Sequence, residues 1–481
     1  MNLKPYPEYK DSGVAWLGKV PRHWEMRKTK YLFKERVQKG FPNEPLLAAT
    51  QTKGVVPKTH YENRTVIAQK DIHLLKLVKK GDFVISLRSF QGGIELAHYQ
   101  GIISPAYTIM NPNKEISGGY FKHLAKSKLF IKLLTTCVTG IREGQNIDYE
   151  ILKRNRLPIP TKEEQTVIAR FLDYKTAQIA RFIKAKRRMI ELLKEQKQVI
   201  INDAVTGKID VATGKPYPKY KDSGVKWLGQ VPEGWEVRKI KYIKSNTHNS
   251  FVDGPFGSSL KSIHYVQNGD VYIVESGFIT RGQFIWKDFK TITNEHFASI
   301  KRSECKGGDI IIAKIGAYYG MSGILPKLDK KAVVSGNSLK LTVNYTICSA
   351  EYIHNALLVA KNKSAFKFIV GETAQPALSL GGINRICLPL PSKKEQIEIT
   401  NVIKNKSHIM DIAISRTERE IALIQEYRTR LISDVVTGKI DVRDIKIPDT
   451  TGIDDTLDES IEEPEGEEEL ETEEAEEWIR R

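Results

Sequence analysis

The apolar positions of this chain follow one pattern twice. In the first copy they fall at Ile168, Leu172, Ile179, Phe182, Ile190, Leu193, Ile200 and Ala204, close to the three-and-four spacing of a heptad seam. The positions 231 residues later hold Ile399, Ile403, Met410, Ala413, Ile421, Ile424, Leu431 and Val435. Each stretch opens on a proline pair followed by Thr161 and Glu164, or Ser392 and Glu395, the spacing of a capping box. Each closes on Gly207 or Gly438, the residue type that ends a helix in the left-handed region. With no Pro or Gly between these marks, the pattern predicts two helices of about 65 Å each. Each helix has one narrow apolar stripe, so the natural partner of either is the other, although Lys175 and Lys186 on the first seam weaken it. The alternative is two unrelated surface helices packed on separate domains.

Ahead of each helix the pattern changes to short apolar runs set between Gly and Pro. Asp82–Ser86 and Ala106–Met110 lie in the first copy, and Asp270–Val274, Asp309–Ala313 and Leu339–Val343 in the second. These read as strands of two mixed domains, over about 34–156 and 245–387.

The duplication is clearest at residues 5–33 and 216–244, where 20 of 29 positions are identical. Trp16, Trp24, Trp227 and Trp235 recur there, and tryptophan so regularly placed is expected to anchor the segment against a core or a partner helix. The repeat then fades, but Gly81-Asp82 still matches Gly308-Asp309, Ser104 matches Ser335, and Gln145 lies near the register of Gln375. A shared framework with divergent loops is how one chain presents two different recognition surfaces. Plain drift after duplication is the competing reading.

Charge sharpens this picture. Residues 449–481 hold 16 acidic and 2 basic side chains, so a net charge of +17 for the chain becomes +31 for residues 1–448. A body that basic points to a polyanion, and nucleic acid is the first expectation. The acidic segment reads as a disordered tail. Four dispersed cysteines, no signal-peptide pattern and no membrane-length apolar run place the chain in the cytoplasm, with no membrane partner.

Catalytic patterns are missing. No zinc-ligand spacing occurs, and the Thr-Gly-Lys-Ile helix ends lack the flanking residues of a phosphate loop. Glu304-Cys-Lys306 has a nuclease-like E-x-K spacing, but Glu195-Gln-Lys197 matches it too, inside a predicted coiled coil. Asp253-Gly-Pro-Phe256 is similar to the D-P-P-F loop of amino-methyltransferases, yet glycine stands for one proline and no glycine-rich loop precedes it. A Gly-Pro turn is the better reading.

What remains is recognition chemistry. Arg88, Ser89 and Gln91 in one domain correspond to Lys314, Tyr318 and Tyr319 in the other. Arg142, Gln145 and Asn146, with Thr373 and Gln375, form a second set just before each long helix. Arg can read guanine bidentately and Gln or Asn adenine, although any single residue of these sets is more often a phosphate contact or plain surface.

The paired DSGVxWLGxVPxxWE segments, the L-P-[IL]-P-[ST]-K-x-E-Q helix starts, the V-T-G-K-I-D helix ends and the Gly254-Pro-Phe-Gly-Ser258 loop together resemble the specificity (S, HsdS) subunits of type I restriction-modification systems, over residues 5–442. The resemblance implies an α+β fold with pseudo-twofold internal duplication: two strand-rich α/β target-recognition domains separated by two long helices forming an antiparallel coiled coil. In chain order this gives residues 1–156 as the N-terminal segment and first recognition domain and 157–210 as the first helix. The repeated segment and second recognition domain follow at 211–387, then the second helix at 388–442 and the acidic tail at 443–481. It further implies a non-catalytic chain that reads a split site on double-stranded DNA and docks two modification (methyltransferase) subunits. ATP-dependent restriction subunits join that assembly, and S-adenosylmethionine, ATP and magnesium belong to the partners. The competing readings are a stand-alone or fused DNA methyltransferase or nuclease, and a purely structural coiled-coil organiser.

Overall fold

The computed structural model describes residues 3–51, 53–60, 72–87, 89–139, 146–255, 257–369 and 377–448. Both predicted helices form, over Lys162–Thr206 and Lys393–Val436. Among the described residues no helix is long and apolar enough to cross a membrane.

The chain divides into two compact units, and each takes half of each long helix: one holds the residues up to Met189 and from Arg416 onward, the other Ile190–Ser415. Within the first unit, Lys186 pairs with Glu420 at 2.7 Å, and within the second, Lys197 pairs with Asp411 at 2.7 Å. Within the first unit Ile168 and Leu172 share a core with Leu431 and Val435 while Lys186 reaches back to Glu420, so the two helix segments there run antiparallel. Lys186, expected to weaken the seam, carries its charge to a carboxylate on the other helix instead.

The seam holds Ile168, Leu172, Ile179 and Ile190 buried on the first helix, with Leu193 and Ile200 half-buried. On the second, Ile399, Ile403 and Leu431 are buried and Met410, Ile421 and Ile424 half-buried. Phe182 departs from expectation: it is 44% exposed, and Ile183 next to it is fully buried. An ideal helix drifts against a strict seven-residue repeat, and here the stripe shifts by one residue.

Both units contain a four-stranded antiparallel sheet of one topology. In the first unit the order is Phe33–Glu35, Thr108–Pro112, Phe83–Ile85, Glu95–Leu96. In the second it is Phe251–Asp253, Ser338–Leu341, Ile310–Ala313, Ser322–Ile324. The Gly-Asp pairs sit in the turn before the third strand of each, where Asp82 accepts the N–H of Lys79 at 2.8 Å and Asp309 that of Lys306 at 2.7 Å. The second unit adds a four-stranded sheet, Lys290–Ile292, Val271–Val274, Lys331–Val334, Glu304–Cys305, with its middle pair parallel.

Candidate nucleic-acid interface

The recognition loops are held by a framework that occurs twice, residue for residue. At the helix starts, Thr161 and Ser392 each accept the N–H of the glutamate three residues on, at 3.3 Å. The reciprocal half of the capping box does not form, because the glutamates are engaged elsewhere. Glu164 Oε1 accepts the Tyr6 hydroxyl at 2.6 Å and the Trp24 indole N–H at 3.0 Å; Glu395 Oε1 accepts Tyr217 at 2.6 Å and Trp235 at 2.9 Å. A buried indole needs an acceptor, and the carboxylate at the helix start supplies it. His23 adds a third contact to Glu164 at 2.8 Å, where the second copy has Gly234. Burial, with these bonds, pushes the Tyr6 and Tyr217 hydroxyl pKa values well above the usual range.

The next residue fixes the helix that follows the sheet. Gln165 donates to the carbonyls of Glu115 and Pro160 and accepts the N–H of Ser117; Gln396 does the same with Ile347, Pro391 and Ser349. Tyr120 on the helix Gly118–Ala125 lies within hydrogen-bond reach of the carbonyls of Pro158 and Val436, and Tyr352 on the helix Ala350–Asn362 of those of Pro389 and Val205. Each recognition domain is therefore tied to the start of its own long helix and to the end of the other.

The helix ends explain their glycines. Gly207 and Gly438 have φ of 74° and 76°, and a Cβ on either would lie 2.3 Å from the Cδ of Pro232 or Pro21. Beyond them Asp210 donates its N–H to the Lys215 carbonyl at 2.8 Å, and Asp441 to that of Lys4 at 2.8 Å. The first unit thus makes between residues far apart in sequence, Lys4 and Asp441, a contact that the second makes within a short stretch of chain. Ile445 and Ile447, within the stretch read as tail, pack against the core of the first unit.

The candidate readers separate on this framework. Arg88, Arg142, Gln145, Thr373 and Gln375 lie outside the described residues. Gln91 is exposed on the single turn Ser89–Gly92, and Asn146 is exposed in a short strand. Ser89 is a correction: it is 2% exposed and its Oγ accepts the Ser86 N–H at 2.9 Å, so it closes the turn after the third strand. Lys314 is another, being mostly buried and ion-paired with Asp253 at 3.1 Å. Tyr318 is 54% exposed and Tyr319 packs partly against the core of the second unit. Sequence alone could not separate these, because turn-forming and base-reading side chains are the same residue types.

The residues with catalytic look have structural partners. Asp253 lies between Arg302 at 3.0 Å and Lys314 at 3.1 Å, and its carbonyl accepts the Ser303 hydroxyl. Lys306 pairs with Glu304 at 3.7 Å, and Lys197 of the second E-x-K match with Asp411. Among the described residues no three His, Cys, Asp or Glu side chains are grouped to hold a metal ion.

Comparison with known proteins agrees with this arrangement. Residues 232–421 match the model of the type I restriction modification DNA specificity domain. The type I restriction enzyme MjaVIII specificity subunit of Methanocaldococcus jannaschii is 22% identical over 435 residues, covering 89% of this chain and 95% of that protein. A solved chain from work on complex assembly and conformational transition of the type I R-M system aligns at a TM-score of 0.64 and 12% identity, covering 87% of this chain and 98% of that one. The HsdS subunit of Thermoanaerobacter tengcongensis aligns at 0.50 and 12% identity, with the same coverage. With the doubled framework, the capping glutamates and the matched helix ends, these likenesses make the chain similar in sequence to the specificity subunits of type I restriction-modification systems, and similar in fold to the solved chains.

Proposed function

We propose that this chain is the DNA-reading component of a type I restriction-modification complex: each strand-rich domain reads one half of a split duplex site, and the antiparallel helices set the gap between the halves. The observation that carries this is the doubled framework, in which Tyr120 and Tyr352, Glu164 and Glu395, and Gln165 and Gln396 make the same contacts while the loops between them differ. A strongly basic body suits a duplex partner.

The helices also dock two modification subunits. In support, Leu192 and Leu423, which occupy matching positions 231 residues apart, are both exposed on the long helices, one in each unit. Methyl transfer, with S-adenosylmethionine, and ATP- and magnesium-dependent cleavage belong to the modification and restriction subunits, in the cytoplasm. The chain itself is non-catalytic, which fits the neutralised Asp253.

The test is reconstitution. Modification subunits with this chain should methylate one bipartite sequence, while either component alone should not. Methylation or cleavage by the purified chain would overturn the reading in favour of a fused enzyme.

A further inference from the structure

The second recognition domain carries a feature the first lacks. Between the pairs Tyr31/Tyr242 and Asp82/Asp309 the spacing of equivalent residues grows from 211 to 227, so the second domain has 16 more residues in this stretch. Within it stands Trp286, 64% exposed, whereas Trp24 and Trp235 are buried and Trp16 and Trp227 partly so. The first domain has no further tryptophan.

Trp286 is held in place from below. Its ring meets Phe284 edge-on at 5.4 Å and Phe289 at 6.3 Å, and Phe289 stacks on Phe278 at 4.7 Å and on Tyr272 at 4.3 Å. The segment is pinned at its base, where the Ile285 N–H donates to the Phe278 carbonyl at 2.7 Å. His354 bridges the Gly282 carbonyl at 3.1 Å and the Ser322 hydroxyl at 2.9 Å. The exposed indole is thus a preorganised platform, with Arg281, Gln283 and Lys287 exposed beside it. A fixed aromatic face flanked by cations suits a base and its phosphates.

A protein partner is the less fitting occupant. Modification subunits that serve both halves must rest on residues both halves carry, such as the exposed pairs Lys30–Tyr31 and Lys241–Tyr242, with cation–ring distances of 4.9 and 4.5 Å. Trp286 occurs once, so it belongs with what differs between the halves.

We propose that Trp286 is a specificity-determining wedge that stacks on a base step in the half-site read by the second domain, with Arg281 and Lys287 on the adjoining phosphates. This rests on the DNA-reading function above. The test uses the chain assembled with its modification subunits and duplexes of the mapped target. In these, 2-aminopurine replaces one base at a time, outside the methylated adenines, across the half that changes when residues 245–387 are exchanged. Wild type should change the probe's emission at one step. Trp286→Ala should abolish that signal and weaken target binding about 10- to 100-fold, with Trp286→Phe between them. The other half-site and scrambled DNA should be unaffected.

The wedge is overturned if Trp286→Ala binds the target within about twofold of wild type, if it loses as much on scrambled DNA, or if it loses the modification subunits instead. A wild-type complex that does not distinguish target from scrambled DNA would overturn the DNA-reading function itself.

Discussion

Replacing Glu164 should loosen the first recognition domain from its helix by an amount the geometry sets. The Glu164 side chain is 4% exposed, and its Oε1 accepts both the Tyr6 hydroxyl and the indole N–H of Trp24, which are 3% and 0% exposed. Alanine leaves two buried donors without a partner at about 1–3 kcal/mol each, so Glu164→Ala should cost about 3–5 kcal/mol. Glutamine keeps one oxygen for both donors and loses only charge assistance, about 1–2 kcal/mol. Glu395→Ala should cost about as much as Glu164→Ala. Glu395→Gln should cost less than Glu164→Gln, because Gly234 stands where His23 contacts Glu164. Urea unfolding followed by tryptophan fluorescence measures the four variants. Glu164→Ala within about 1 kcal/mol of wild type would refute the reasoning, because buried donors left unpaired cannot cost so little.

Burial pushes the His354 pKa down to about 4, so the folded second unit holds it neutral while the unfolded chain protonates it near 6.5. This stabilisation is present above pH 6.5 and is lost as pH falls towards 4, about 3 kcal/mol in all; pH-dependent unfolding should show the slope, and His354→Gln should flatten it. Ser89→Ala should lower stability by about 1 kcal/mol without relaxing the target sequence, measured by unfolding and by methylation mapping. Seven residues added to each long helix, near Lys186 and Thr417, keep the heptad phase and lengthen the ruler by roughly 10 Å, about three base pairs. DNA turns by nearly a third of a revolution over that length, so the product should recognise the two half-sites with a longer gap or fail on DNA that cannot twist. Activity retained on the original gap would mean the helices do not set it.

Much of this was legible in the sequence because it is written locally. Proline pairs, capping residues and Gly207 and Gly438 bounded both helices to within a residue or two, and all five apolar runs lie on strands. The long-range partners were not legible. Glu164 reads as a capping residue from three-residue spacing, but its side chain serves Trp24, 140 positions away. Signal for it did exist, since Glu164 recurs as Glu395 just as Trp24 recurs as Trp235. Ser89 and Lys314 look like readers because loops rich in polar residues do, and only burial and pairing separate the turn-closing serine and the lysine bound to Asp253 from an exposed Gln91. Trp286 carried no pattern at all, since its meaning lies in exposure above a ring stack.

If each domain reads its own half-site on a shared frame, exchange of one domain should alter one half of the target alone. Residues 34–156 are replaced by the equivalent segment of another specificity subunit, the chimaera is assembled with its modification subunits, and methylated sites are mapped across a genome. One half of the recognised sequence should change, while the other half and the gap stay as they were. A change in both halves, or in neither, would contradict the account.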